Sequence, residues 1–155
     1  MARIAIIPGD GIGREGTAQA VRALRALEER HGLSLDLVEW DLGADRFLET
    51  GISITDEEMA ALGSDYDAIF LGALGDPRVP GNEHARDILL GLRFRLDLYV
   101  NLRPVRLWRA QDSPLRDVVP GDLELVVFRE NTEGSYVGLG GVFKQGTPHE
   151  VAIQE

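Results

Sequence analysis

Apolar positions along the chain change period several times, and each change marks an element. Arg3–Ile7 is a short apolar run ending at Pro8-Gly9, which predicts a buried strand and not a helix. Gly9-Asp10-Gly11-Ile12-Gly13 reads as a turn. From about Arg14 to Arg30, Ala18, Val21, Leu24 and Leu27 recur at helical spacing, and His31-Gly32 supplies a stop. Leu33, Leu35 and Leu37 then alternate with Ser34, Asp36 and Val38, the period of a strand.

Thr55 followed by Glu58 is a capping-box pattern, so a second helix should begin there and end at Gly63. Asp67–Ala73 is another buried strand. Leu74–Asn82, with Gly75, Pro77, Pro80, Gly81 and Asn82, is a loop. A third helix is expected over His84–Leu96, an extended segment over Tyr99–Leu107, and a buried strand over Leu123–Phe128. Tyr136–Phe143 and Glu150–Ile153 flank a Gly/Pro turn and read as a β-hairpin or arm. Strands separated by helices argue an α/β chain with a mostly parallel sheet and flanking helices.

The chain's 155 residues suit one domain or parts of two, and its mean hydropathy of −0.09 is that of an ordinary globular sequence. With 16 Lys and Arg against 26 Asp and Glu, its net charge of −10 argues against a nucleic-acid binder. The lack of cysteine excludes disulfides, thiol catalysis and Cys-ligated zinc. Apolar runs such as Ala68–Leu71 are far too short to span a membrane, and the four-residue apolar run at the N-terminus is too short for a signal peptide. A cytoplasmic protein is expected. The last apparent strand has no helix or polar tail after it, as in the front part of a longer protein.

Three segments carry candidate chemistry. Gly11-Ile12-Gly13-Arg14-Glu15-Gly16 fits G-x-G-x-x-G after a strand, the pattern of a dinucleotide pyrophosphate turn. Pro8-Gly9-Asp10 intervenes, however, and the acidic residue ending the second strand, Glu39 or Asp41, comes late. A tight turn needing positive φ explains the glycines equally. The second is a basic island: Arg78–Arg109 holds seven arginines and three acids, a local +4 in an acidic chain. Arg86 and Arg93 share a helix face with leucines between them, and Arg103 follows an apolar strand. Arginine forks match carboxylates or phosphates, although paired surface arginines are the plainer reading. The third is Arg129–Tyr136, beginning where an apolar strand ends. Its tyrosine would be protonated at neutral pH and able to act as an acid. Asp10, Asp76 and Asp122 are turn residues without metal-ligand spacing. His31, His84 and His149 are scattered, and Lys144 is expected on the surface.

Four stretches together resemble the metal-dependent, NAD(P)-dependent β-decarboxylating hydroxyacid dehydrogenases, the isocitrate/isopropylmalate dehydrogenase family with its tartrate/D-malate members. They are Ile-Pro-Gly-Asp-Gly-Ile-Gly at 7–13, Leu-Leu-Gly-Leu-Arg at 89–93, Asn-Leu-Arg-Pro at 101–104, and Arg-Glu-Asn-Thr-Glu-Gly-Ser-Tyr at 129–136. Order and spacing agree over essentially the whole chain. The resemblance implies an isopropylmalate dehydrogenase-like fold. Residues 1–99 would be the N-terminal part of a large α/β domain and 100–155 the start of a small one with a dimerisation arm.

It also implies roles. Arg93, Arg103 and Arg129 would bind the carboxylates of a small hydroxy-dicarboxylate, with Leu89 and Leu90 facing its alkyl group. Tyr136 would protonate the enolate left by decarboxylation. Gly72, Ala73, Leu74, Gly75 and Asp76 would border the nicotinamide of NAD. In this family the early glycine turn is not a pyrophosphate site. The ligands for Mg²⁺ or Mn²⁺, the catalytic lysine and the adenosine-binding segment would lie beyond position 155, so the chain alone would be inactive. Arg86 stands where isopropylmalate enzymes carry glutamate, and the text from Tyr99 to Leu107 looks more like the tartrate/D-malate group. These features lean towards a malate-type substrate over 3-isopropylmalate by a narrow margin. A homodimer is implied for the full-length form. Two other readings compete: a non-catalytic anion-binding or assembly module, and a general dinucleotide-binding domain.

Overall fold

The computed structural model describes residues 1–134 and 139–154. The chain forms two compact units, Met1–Leu96 and Asp97–Glu155.

The first unit runs β1 (Ala2–Ile7), α1 (Ile12–His31), β2 (Leu35–Glu39), α2 (Ala44–Thr50), α3 (Asp56–Ser64), β3 (Ala68–Leu71) and α4 (Glu83–Arg95). Its strands form a parallel sheet in the order β2-β1-β3. Winding therefore reverses at β1, and the carboxyl ends of β1 and β3 flank the reversal. β1 is the central strand, and its Ala5 and Ile7 are fully buried. With Leu42, Met59, Leu62, Ile88 and Leu92 they make one core. Burying each larger aliphatic side chain contributes about 1.5–3 kcal/mol.

Local signals place most of these elements. Gly32 ends α1 in the left-handed conformation, φ 64°. The Thr55 hydroxyl accepts from the Glu58 amide and the Glu58 carboxylate from the Thr55 amide, completing the capping box of α3. Glu58 also takes both arms of the Arg46 guanidinium at 2.7 and 2.9 Å, tying α2 to α3. Helix α2 has no counterpart in the sequence expectation. The predicted stripe of α1 is only partly covered: Val21 and Leu24 are half-buried, whereas Ala18 and Leu27 remain exposed.

In the second unit, β4 (Val100–Arg106) pairs antiparallel with β5 (Glu124–Glu130), and β6 (Gly140–Phe143) with β7 (Val151–Gln154). β6 and β7 are the expected terminal hairpin. Two expectations of buried strands are corrected: β3, within Asp67–Ala73, is exposed at Ala68 and half-buried from Ile69 to Leu71, since it pairs with β1 alone among the described strands, and the strand over Leu123–Phe128 is exposed. β5 reaches Glu130, and its apolar residues are exposed, Phe128 by 73%. The apolar run gave the right element and the wrong environment, because among the described residues the β4–β5 ribbon has no layer burying it. No helix among the described residues is long and apolar enough to cross a membrane.

Candidate substrate and cofactor site

The turn after β1 and the loop after β3 meet at the winding reversal, where open α/β sheets usually leave a ligand crevice. Here the two backbones touch. The Asp10 amide donates to the Ala73 carbonyl and the Gly72 amide to the Ile7 carbonyl, both at 2.8 Å. A Cβ on Gly13 would stand 2.3 Å from the Ala73 oxygen, and one on Gly72 2.0 Å from the Pro8 oxygen. Gly9 combines a similar approach to Ala73 with φ +76°. The first-turn amides of Gly13 and Arg14 already donate to the carbonyls of Asp10 and Gly11. Gly16, last in the G-x-G-x-x-G pattern, has nothing within 4 Å of its Cβ position. The motif is thus used to pack one backbone on another, which disfavours a pyrophosphate cradle there.

Asp10, read from sequence as a turn residue, is the buried hub of this region. Its Oδ1 accepts from the Ala44 amide at 2.7 Å, the first amide of α2. Its Oδ2 accepts from the Gly75 amide at 2.9 Å and faces His84 Nε2 at 2.8 Å. Burial pushes the Asp10 carboxyl up, but the Ala44 and Gly75 amides and His84 outweigh it and hold it below the ordinary aspartate value. Gly43 leaves room for this carboxylate, since a Cβ there would meet Oδ1 at 2.7 Å. His84 is therefore not a scattered histidine. It is fully buried and stacks on Phe47 of α2, with ring centroids 5.9 Å apart.

The loop expected to border a nicotinamide is held at several points. Beyond the Gly72 and Gly75 bonds, the Asp76 amide donates to Asn82 Oδ1 at 3.1 Å. The Asp76 carboxylate takes the Arg78 side chain at 2.9 and 2.7 Å, and that guanidinium lowers its pKa to about 2. Arg78 also reaches Asp45, which pairs with Arg14. These exposed pairs add little stability individually, but they join the start of α1, α2 and the loop. Ala73 and Gly75 are exposed and Leu74 is half-buried, so backbone and part of an apolar side chain are accessible along the loop.

On α4, Leu89, Leu90 and Arg93 are half-buried and Arg86 is exposed. An open cleft of 630 Å³ runs along this helix, lined by Ile52, Arg86, Leu90 and Phe94 among others. In the second unit, Asn101 lies opposite Arg129 and Arg103 opposite Val127. Directly opposed residues share a face, so Arg103 and Arg129 are diagonal neighbours on one face of the ribbon. Arg103 Nε donates to Asn101 Oδ1 at 2.9 Å, and Asn101 Nδ2 donates to Asn131 Oδ1 at 3.3 Å. The Glu130 carboxylate accepts the amides of Thr132 and Glu133, folding the segment that follows β5. Burial raises the Glu130 carboxyl, and those amides bring it below its ordinary value. Tyr136, the expected acid, lies outside the described residues. Among the described residues, no three His, Asp or Glu side chains gather as a metal cage.

Sequence reasoning missed the Asp10–His84 pair and α2. The only local hint was an aspartate between two glycines after a buried strand.

A parallel sheet whose winding reverses at β1, with helices packed on it, together with antiparallel strand pairs, defines an α/β chain. Comparison with known proteins narrows this. The isocitrate/isopropylmalate dehydrogenase family model matches residues 3–154. The 3-isopropylmalate dehydrogenase of Thermobifida fusca is 50% identical over 153 residues, covering 99% of this chain and 43% of the relative. That of Leifsonia xyli is 51% identical over 154 residues, covering 97% and 42%. A β-decarboxylating dehydrogenase of Thermococcus kodakarensis, solved in its apo form, superposes with a TM-score of 0.66 at 34% identity, covering all of this chain and 40% of that one. A protein from Thermus thermophilus gives 0.69 at 28% identity, covering 99% and 28%. The chain belongs to the isocitrate/isopropylmalate dehydrogenase family. It spans less than half the length of the curated relatives described.

Proposed function

We propose that this chain supplies the substrate-binding arginines and the catalytic tyrosine of an NAD-dependent enzyme that oxidatively decarboxylates a 2-hydroxy dicarboxylic acid. The observation that carries the reading is 50% identity to a 3-isopropylmalate dehydrogenase over nearly the whole chain, with Arg93, Arg103 and Arg129 in the matched region. The relatives' names weigh towards 3-isopropylmalate over tartrate or D-malate, and the half-buried Leu89 and Leu90 offer apolar surface for a branched alkyl group.

In this reading the arginines neutralise and orient the two carboxylates, which are otherwise costly to desolvate together. The loop from Gly72 to Asp76 gives the nicotinamide a fixed wall. When bound, NAD accepts the hydride from the hydroxyl-bearing carbon. Tyr136 then donates a proton to the carbon left by departing CO₂. The oxygen ligands for Mg²⁺ or Mn²⁺ are assigned to the part of the full-length enzyme outside this chain. The β6–β7 hairpin is assigned to contact with a second copy in the full-length form, and the cytoplasm is the proposed compartment.

The test is NADH formation by the intact enzyme with Mn²⁺ and 3-isopropylmalate, D-malate or tartrate in parallel. The reading expects the highest kcat/KM with 3-isopropylmalate. Absence of NAD reduction with all three acids would refute it.

A further inference from the structure

The buried Asp10–His84 pair is used neither by the arginine site nor by the glycine packing. Asp10 follows β1 and His84 stands in the first turn of α4, 74 positions away. A carboxylate only accepts, so His84 Nε2 carries the hydrogen it shares with Asp10 Oδ2. His84 Nδ1 is buried without a hydrogen-bond partner. The ring is therefore oriented by Asp10 on one edge and by Phe47 on one face. The same Oδ2 takes the Gly75 amide, in the middle of the Gly72–Asp76 loop. Two donors converge on one oxygen, one from the loop and one from α4.

We propose that His84 is a positioning residue for the cofactor: acting through Asp10, it fixes the Gly75 amide and so the loop against which the nicotinamide end of a dinucleotide rests. The inference deepens the function proposed above and rests on it for the identity of the ligand. If His84 donates nothing, the Asp10 carboxylate keeps its Ala44 and Gly75 bonds but loses the donor that sets the direction of Oδ2. The carboxylate can then rotate, and Gly75 follows it. A glycine at φ +143° has no side chain to oppose that movement.

The test compares His84→Leu, which removes the donor at similar volume, with His84→Gln, whose amide can still donate to Oδ2. Amide hydrogen exchange is read on the labelled chain at Gly75, with Ala5 and Ile7 as references. Steady-state constants are read on the intact enzyme. In His84→Leu the Gly75 amide should exchange about tenfold faster or more, while Ala5 and Ile7 hold their protection. The KM for NAD should rise about fivefold or more with the KM for the hydroxy acid unchanged, because only the cofactor wall has moved. His84→Gln should restore both. Unchanged Gly75 exchange, equal acceleration at all three amides, or no rescue by glutamine would overturn the proposal. So would loosening of Gly75 with an unmoved KM for NAD. The exchange arm needs no cofactor. A wild-type enzyme that reduces no NAD therefore sinks the catalytic reading, while loss of the loop-holding role shows in exchange alone.

Discussion

Arg103 and Arg129 stand diagonally across the β4–β5 ladder on the same face, with Asn101 and Val127 at the other two corners. Arg103 is exposed and steadied by Asn101, and Arg129 is half-buried. Placed on one face of the ribbon, the two guanidinium groups offer planar forks that match the carboxylates of the substrate proposed above.

Removing either arginine should therefore act on substrate binding and not on folding. In the intact enzyme, Arg103→Ala and Arg129→Ala should each lower kcat/KM for the hydroxy acid about ten- to a hundredfold, the range of a lost charge-assisted hydrogen bond. Lysine at either position should restore only part, since it lacks the planar fork. An unchanged kcat/KM in both alanine variants would remove the ribbon from the active site.

The isolated 155-residue chain, supplied with NAD, Mn²⁺ and 3-isopropylmalate, should produce no NADH. The chain covers 43% of the Thermobifida fusca relative, and the ligands proposed for the divalent ion lie outside it. Turnover by the purified chain would show that the ion is held in another way.

The glycines of the first turn separate two explanations. Gly13→Ala should destabilise by about 3 kcal/mol or more, because its Cβ would be driven into the Ala73 and Pro8 carbonyls. Gly16→Ala, on an exposed face of α1 with open space around its Cβ position, should stabilise by up to about 1 kcal/mol through helix propensity. Urea denaturation decides both. If Gly16→Ala were the damaging change, Gly16 and not Gly13 would be the position packed against a neighbour.

What could be read in advance follows from how local each signal is. Thr55 and Glu58 cap α3 from within three residues, and Gly32 ends α1 in place, so both were legible. Helix α2 was not, because its N-cap is Gly43, which offers no side chain, and the carboxylate that receives the Ala44 amide belongs to Asp10. For the same reason the His84–Asp10 pair is invisible to spacing. The four short motifs led to the family without any of this geometry. The run Leu125–Phe128 misled on burial because hydrophobicity reports what a strand can be packed against, not what the described chain packs against it.

Acid should weaken the first unit through two carboxyls. Asp10 lies below the ordinary value of 3.8, and Asp76 lies at about 2. A depressed carboxyl stabilises the fold above its unfolded pKa, and that stability is lost as pH falls through the folded one. The loss contributed by Asp76 should therefore spread from about pH 4 down to about pH 2. Asp10→Asn should be less stable than the parent at neutral pH and lose less on acidification, because one of the titrating groups is gone. A parallel pair of stability-against-pH curves would mean that Asp10 does not contribute to the acid sensitivity.

The two units should also differ sharply in protection from exchange. Ala5 and Ile7 lie in a core shared with Met59, Leu62, Ile88 and Leu92, whereas Leu107 is the one buried hydrophobic among the described residues of the second unit. An isolated two-stranded ribbon is marginal in water, and exposed Trp108, Phe128 and Phe143 contribute no burial to hold it. Amides of β4 and β5 should therefore exchange about a hundredfold faster or more than those of β1, and limited proteolysis should cut first beyond Leu96. Addition of a partner that covers the ribbon, such as the remainder of a full-length relative, should slow β4 and β5 selectively. Equal protection of β1 and β5 in the chain by itself would show that the ribbon's apolar face is already covered in solution.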